Sequence, residues 1–206
     1  MGCFIYQVFW LMGVLVKKTS MRIEKKNAVH IMDFPSLRQT YVYDCGANAV
    51  QSILTYYGDD MKESEIMEAM GTTPEDGTDY RRILKFFQEK GFKVKARKNL
   101  TLELLRKLIE LGIPVMLPVQ AYRDKPDITY KDDKDDGHWV VAIGYTENAV
   151  IFCDPSSVLD TFMTIKELEE RWHDEAPQTG EFLEHFGVLI YGKNPFYHEG
   201  DIIHMD

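Results

Sequence analysis

The sequence predicts an α+β protein, with helices in its first half and an antiparallel sheet in its second. Three observations carry this. Apolar residues recur at helical spacing through residues 46–57, 78–91 and 101–112. Short apolar runs of strand length dominate after residue 113, two of them joined by a tight turn near Glu147-Asn148. Helices and strands are segregated along the chain rather than alternating, which argues against a doubly wound parallel sheet.

Each element has a local reason. Ala47, Val50, Leu54 and Tyr57 line one face of the first helix, and Gly58 stops it. Asp60 with Glu63 has the spacing of a capping box for a short helix ending at Gly71. Thr78 opens a third helix, with Tyr80, Ile83, Leu84 and Phe87 on one face and Gly91 at its end. FKVKAR (92–97) alternates as a half-buried strand does. Thr101 caps a helix bearing Leu104, Leu105 and Leu108 that stops at Gly112. IPVMLPV (113–119) reads as a strand near an edge, because Pro114 and Pro118 withhold N–H donors. HWVVAIGY (138–145) and AVIFC (149–153) form a hairpin, Thr164 and Glu167 make a second capping box for a helix reaching about Trp172, and FGVLIYG (186–192) closes as a buried strand. Trp139, Phe152, Trp172, Phe186 and the Cys153 thiol are expected in the core.

The bulk properties narrow the function classes. The 206 residues suit one core with modest extensions. With 45% hydrophobic and 28% charged residues the chain is of folded, globular type. A net charge of -9 and the absence of a Lys/Arg cluster leave no surface for a nucleic-acid backbone. Three cysteines make no disulfide framework. Residues 3–16 are almost wholly apolar and precede Lys17-Lys18. They are short for a membrane span, lack the basic start and cleavage site of a signal peptide, and carry Tyr6 where myristoylation needs Ser or Thr. Two readings stay open: a short membrane anchor, or translation that begins at Met21. The expected organisation is an extension over 1–20, a linker over 21–34, a main domain over 35–192 and a tail over 193–206. A cytoplasmic location is expected, with membrane association through residues 3–16 as the alternative.

The chemistry concentrates in two segments, QTYVYDCGANAV (39–50) and GHWVVAIGYTENAVIFCDPS (137–156). Cys45 opens a helix, where unpaired N–H groups and the dipole favour an anionic sulfur. Gly46 beside it leaves room for a substrate backbone. His138 begins a strand and Asp154 ends its hairpin partner, so the two ends lie side by side and Asp154 can orient the imidazole. Gln39 can donate its amide to an oxyanion together with the Cys45 backbone N–H. Alone, each residue has a plainer explanation, such as a buried thiol or a turn aspartate; the joint order gives them weight.

Gln39, Asp44-Cys45-Gly46 and Tyr56-Tyr57-Gly58, followed by Gly137-His138-Trp139 and Asp154-Pro155, resemble the peptidase C39 family, the bacteriocin-processing cysteine peptidases with a papain-like fold. The intervening run of helix, strand, helix and Gly-x-Pro-Val strand is similar too, so the resemblance spans residues 35–192. It implies a helical part carrying the Cys helix and an antiparallel sheet carrying His and Asp. It also implies Cys45 as nucleophile, His138 as base, Asp154 as orienting acid and Gln39 as the oxyanion-hole residue, acting on a peptide or protein without a cofactor or metal. Many family members are N-terminal domains of export ABC transporters that cut after a double glycine. This sequence shows no transporter region, so that specificity is not carried over. The same triad could serve a transpeptidase, transamidase or deamidase, or the scaffold could bind peptides without turnover. Two decoys fall away. GVLIYGKN (187–194) ends in Asn194 where a phosphate-binding loop needs Ser or Thr. DDKDDG (132–137) has Lys134 where a calcium loop needs Asp or Asn, and Ile143 where it needs Glu. The loop 121–136 reads as a solvated acidic segment that shapes the cleft and favours basic substrates.

Overall fold

The computed structural model describes residues 21–125, 127–202, 204 and 205. The expectations for residues 1–20 lie outside the described residues.

The helices are α1 (Cys45–Tyr56), α2 (Glu63–Met70), α3 (Tyr80–Glu89), α4 (Leu102–Glu110) and α5 (Ile165–Arg171). The strands are β1 (His30–Ile31), β2 (Lys93–Arg97), β3 (Val115–Gln120), β4 (Gly137–Tyr145), β5 (Ala149–Cys153), β6 (Thr161–Thr164), β7 (His173–Ala176), β8 (Glu181–Glu184) and β9 (Gly187–Tyr191). Seven strands form one sheet in the order β2-β9-β3-β4-β5-β6, with β1 paired to the end of β4. All these pairings are antiparallel, and β7 with β8 forms a separate hairpin. The fold class is therefore α+β. The core gathers Val50, Ile53 and Leu54 of α1, Ile83 and Phe87 of α3, the buried β3, β4 and β5, and Trp172 and Phe186. Trp139, Phe152 and Cys153 are buried as expected.

The helix starts follow their caps. Thr101 accepts from Leu104 N, and Asp79, one residue after the expected Thr78, accepts from Arg81 N. Thr164 and Glu167 bond reciprocally as a capping box. Asp60 caps nothing: α2 starts after Lys62, whose backbone N–H donates to Glu65, while Glu63 receives Thr40 and Asn48. Glu63, the acid the expected box needed, is bonded to Thr40 and Asn48 instead.

Strand β3 is central rather than near an edge. Every residue is buried, with β4 on one side and β9 on the other. Pro118 is tolerated because β9 pairs only Val115 and Met116. Ala121 donates to Asp136 O across the β4 side, so alternation turns the Pro118 nitrogen the other way, past the end of β9. The stretch 21–34, expected as a linker, supplies β1 and the buried Met32 and Phe34. In the segment expected as a tail, Phe196 and Tyr197 donate to Tyr56 O at the end of α1. Strands β1, β6, β7 and β8 carry no sequence signal of their own; they are 2–4 residues long and mixed in polarity.

One irregularity positions the chemistry. Near the turn, β4 and β5 pair Tyr145 with Val150 and Gly144 with Ile151. Beyond a bulge at Ile143 the pairing becomes Ala142 with Phe152 and Val141 with Cys153. Continued one step, Val140 faces Asp154, and His138 shares the face of Val140. Without the bulge, Val141 would face Asp154 and His138 would point to the other side, since a one-residue slip flips a strand's faces. Hairpin proximity alone was therefore insufficient; the extra residue brings His138 and Asp154 together.

The caps provide a direct check. Thr164→Ala should lower the unfolding free energy by about 1 kcal/mol, whereas Asp60→Ala should change it by less than about 0.5 kcal/mol, both read from urea denaturation.

Candidate active site

Cys45 is the first residue of α1, and Asp44 occupies the cap position without capping it. The Asp44 carboxylate instead turns back and accepts from Tyr41 N at 2.9 Å. Its other oxygen is buried with no hydrogen-bond partner, and burial, with Glu63 nearby, raises its pKa. The positive end of α1 thus stays free of a capping side chain just where the thiol sits.

His138 is 7% exposed and Asp154 4%. His138 Nε2 lies 2.8 Å from Asp154 Oδ1, which leaves the ring's other nitrogen for Cys45. Burial works against a charged imidazole here. Hydrogen bonds to Asp154 and to the Cys45 sulfur, with the charges of both, outweigh it and push His138 up to about 10. Asp154 shows the counterpart. Burial alone would raise it, but His138, Tyr122 and Ser156 N hold it below its ordinary value. Its carboxylate also accepts from Ser156 N at 2.9 Å, Tyr122 Oη at 2.5 Å and Thr161 Oγ1 at 3.2 Å.

Gln39 is tied to the same corner. Its backbone N–H donates to Pro155 O, and its Oε1 accepts from Ser156 Oγ at 3.1 Å. Its amide spends one of two N–H donors on Tyr41 O at 2.5 Å. Cys45, His138, Asp154 and Gln39, four residues spread over 116 positions of sequence, thus meet at one corner where the start of α1 abuts the β4–β5 pair.

The two glycines of the motifs have structural duties. A Cβ on Gly46 would stand 2.7 Å from Thr78 Cβ and 3.1 Å from Trp139 Cδ1, so this side of α1 is packed rather than open to a substrate backbone. Trp139 Nε1 in turn donates to Thr78 O. A Cβ on Gly137 would fall 2.6 Å from Asp174 Oδ2, a carboxylate that Gln120 anchors behind the start of β4. Burial raises Asp174 to about 6, against bonds from Glu175 N and Gln120. The loop 121–136 is less free than its composition suggests. Lys125 pairs with Asp135, Lys134 with Glu175, and Asp133 is buried. Arg123 and Arg171 both lie over the Tyr130 ring.

Sequence reasoning missed Tyr122, Ser156 and Thr161, which all bond the Asp154 carboxylate or its neighbours. Ser156 follows Asp-Pro directly and was within reach of a turn argument. Tyr122 and Thr161 had no local signal. Among the described residues, no group of three or more His, Cys, Asp or Glu could hold a metal ion. Nor is any helix among them long and apolar enough to cross a membrane. A groove of about 800 Å3 lies beside β6, lined among others by Ile23, Phe34, Val158 and Tyr197.

The fold is papain-like. It is similar to that of the peptidase domain of Streptococcus ComA, a bi-functional ABC transporter of a quorum-sensing pathway, with a TM-score of 0.56 and 22% identity over 75% of this chain and 95% of that one. A double glycine motif protease from an AMS/PCAT transporter, solved with its leader peptide, gives 0.55 and 17% over 79% and 94%. A C39-like peptidase from Bacillus anthracis gives 0.58 and 17% over 79% and 96%. No curated protein matches the chain. The model of the peptidase C39 family matches residues 33–176, and the chain belongs to that family.

The charge state of the pair has a stability signature. His138, raised in the folded protein, contributes stability that is fully present below its unfolded value of about 6.5 and lost as pH rises through about 10. Asp154, depressed, contributes stability present above its unfolded value and lost as pH falls through its folded one. His138→Gln should therefore destabilise the protein clearly at about pH 6 and much less at about pH 11, measured as the shift in urea midpoint at each pH.

Proposed function

We propose that the protein is a cysteine peptidase that cleaves peptide bonds through an acyl-enzyme on Cys45. The observation that carries this reading is the buried His138–Asp154 contact, with the imidazole's remaining nitrogen left for a thiol at an uncapped helix N-terminus. The Cys45 thiolate adds to the scissile carbonyl carbon and the carbonyl oxygen becomes an oxyanion. The Cys45 backbone N–H and the second N–H of Gln39 are the donors proposed for that oxygen. His138, as imidazolium, gives its proton to the leaving amine as the C–N bond breaks. Neutral His138 then takes a proton from water, which attacks the thioester and releases the acid and the thiolate. Asp154 keeps the ring's orientation and balances its charge through both steps.

Family membership and the papain-like fold support a peptide or protein as substrate. The double-glycine motif belongs to the transporter-linked relative and is not assigned to this chain.

The full chain incubated with a broad peptide library should generate new termini in the cleaved peptides, read by mass spectrometry, and Cys45→Ala should abolish them. His138→Ala should lower turnover about 10^3-fold or more, and Asp154→Asn by about 10^2-fold or more. Products formed equally by Cys45→Ala, or none from the unmodified chain over the whole library, would refute the proposal.

A further inference from the structure

Tyr122 is an anomaly by several measures. Its backbone φ is +58°, a left-handed conformation that is costly for an aromatic residue and persists only where surroundings impose it. It stands just past the end of β3, where Val119 faces His138 and Gln120 faces Gly137. In a regular continuation, Tyr122 would share the face of Gln120, away from His138. The left-handed turn instead brings its side chain to His138 and Asp154. The ring meets the His138 ring edge-on, with centroids 5.6 Å apart and an interplanar angle of 75°. The hydroxyl donates to Asp154 Oδ2, the oxygen that His138 does not use. Tyr122 is 57% exposed and packs on a His138 that is 7% exposed, so its ring covers part of the buried pair.

The backbone around Tyr122 is fixed from several directions. Ala121 N bonds Asp136 O, Asp136 N bonds Gln120 Oε1, and Asp124 N bonds Asp136 Oδ2, closing the base of the loop. Within the loop, Arg123 and Arg171 of α5 both lie over the Tyr130 ring. The charged and titratable groups that bear on Tyr122 are Asp154, Tyr130 and Arg171.

We propose that Tyr122 is a positioning residue for the proposed peptidase site: its hydroxyl fixes the rotation of the Asp154 carboxylate, and its ring shields the His138–Asp154 bond from water. The inference rests on the function proposed above. Without the hydroxyl, the carboxylate loses its firmest second anchor and turns from His138. Without the ring, water competes for the bond and the imidazolium is held less well. Either change leaves His138 less often protonated beside the Cys45 sulfur near neutral pH. Neither changes the reaction at high pH, where it no longer depends on a protonated His138.

The test is the rate at which iodoacetamide alkylates Cys45 in the folded full chain, expressed as the ratio of the rate at about pH 6 to that at about pH 10. Cys153 serves as an internal control, because burial pushes its thiol up to about 11. Tyr122→Phe should lower the ratio about threefold and Tyr122→Ala about tenfold. Tyr122→Phe keeps the ring and its packing, so it is informative even if the alanine variant folds poorly. An unchanged ratio in the phenylalanine variant together with an unchanged ratio in a folded alanine variant overturns the inference. So does a loss of rate that is equal at both pH values, which marks a merely structural role. If Cys45 of the unmodified protein reacts at about pH 6 no faster than Cys153, the proposed function itself fails.

Discussion

The 2.8 Å contact between His138 Nε2 and Asp154 Oδ1 constrains the site more than any other feature. Both groups are buried, and burial penalises a charge on either unless a partner compensates. The compensation is unusually complete: Asp154 accepts from an imidazole, a backbone N–H and two hydroxyls, so its two oxygens are spent on four donors. A carboxylate saturated in this way cannot rotate freely, and neither can the ring bonded to it. The thiol at the start of α1 is then met by a nitrogen whose direction has already been determined.

The surrounding fold can be read as what it takes to maintain that contact. The bulge at Ile143 resets the β4–β5 register so that the two side chains share a face. Gly137 lets the start of β4 lie against the Asp174 carboxylate, which Gln120 of the neighbouring β3 anchors. Gly46 lets Thr78 and Trp139 close on α1 from the side, beside a Cys45 that is itself buried. The side chain of Asp44 declines the capping role that aspartate commonly takes. Each is a local departure from the most stable regular choice, and departures of this kind gather where a site is built.

Much of this was legible in the residues. Helices α1 and α3 follow from apolar periodicity, and α4 and α5 also from their threonine caps, within one or two residues. Cys45, His138 and Asp154 could be singled out because each sits at the end of a strongly patterned element. What escaped the sequence depends on partners distant in the chain. Pro118 suggested an edge, because nothing local reveals that β9 ends before reaching it. The start of α2 was misplaced because Glu63 is claimed by Thr40 and Asn48. Tyr122 lies 32 residues from the carboxylate it bonds, in a loop whose composition suggests only solvated charge. The room expected beside Gly46 is filled by Thr78 and Trp139, from two other segments.

The central claim is that His138 is held as an imidazolium between Asp154 and Cys45. The most direct measurement is the 15N spectrum of the imidazole rings in the folded full chain, with His138 assigned by the loss of its signals in His138→Gln. The account predicts that at about pH 8, well above the ordinary histidine value of about 6.5, both His138 nitrogens carry protons, and that Cys45→Ala lowers the pH at which one is lost. A His138 ring that is already neutral at that pH, and that titrates near the ordinary value with or without Cys45, would contradict it.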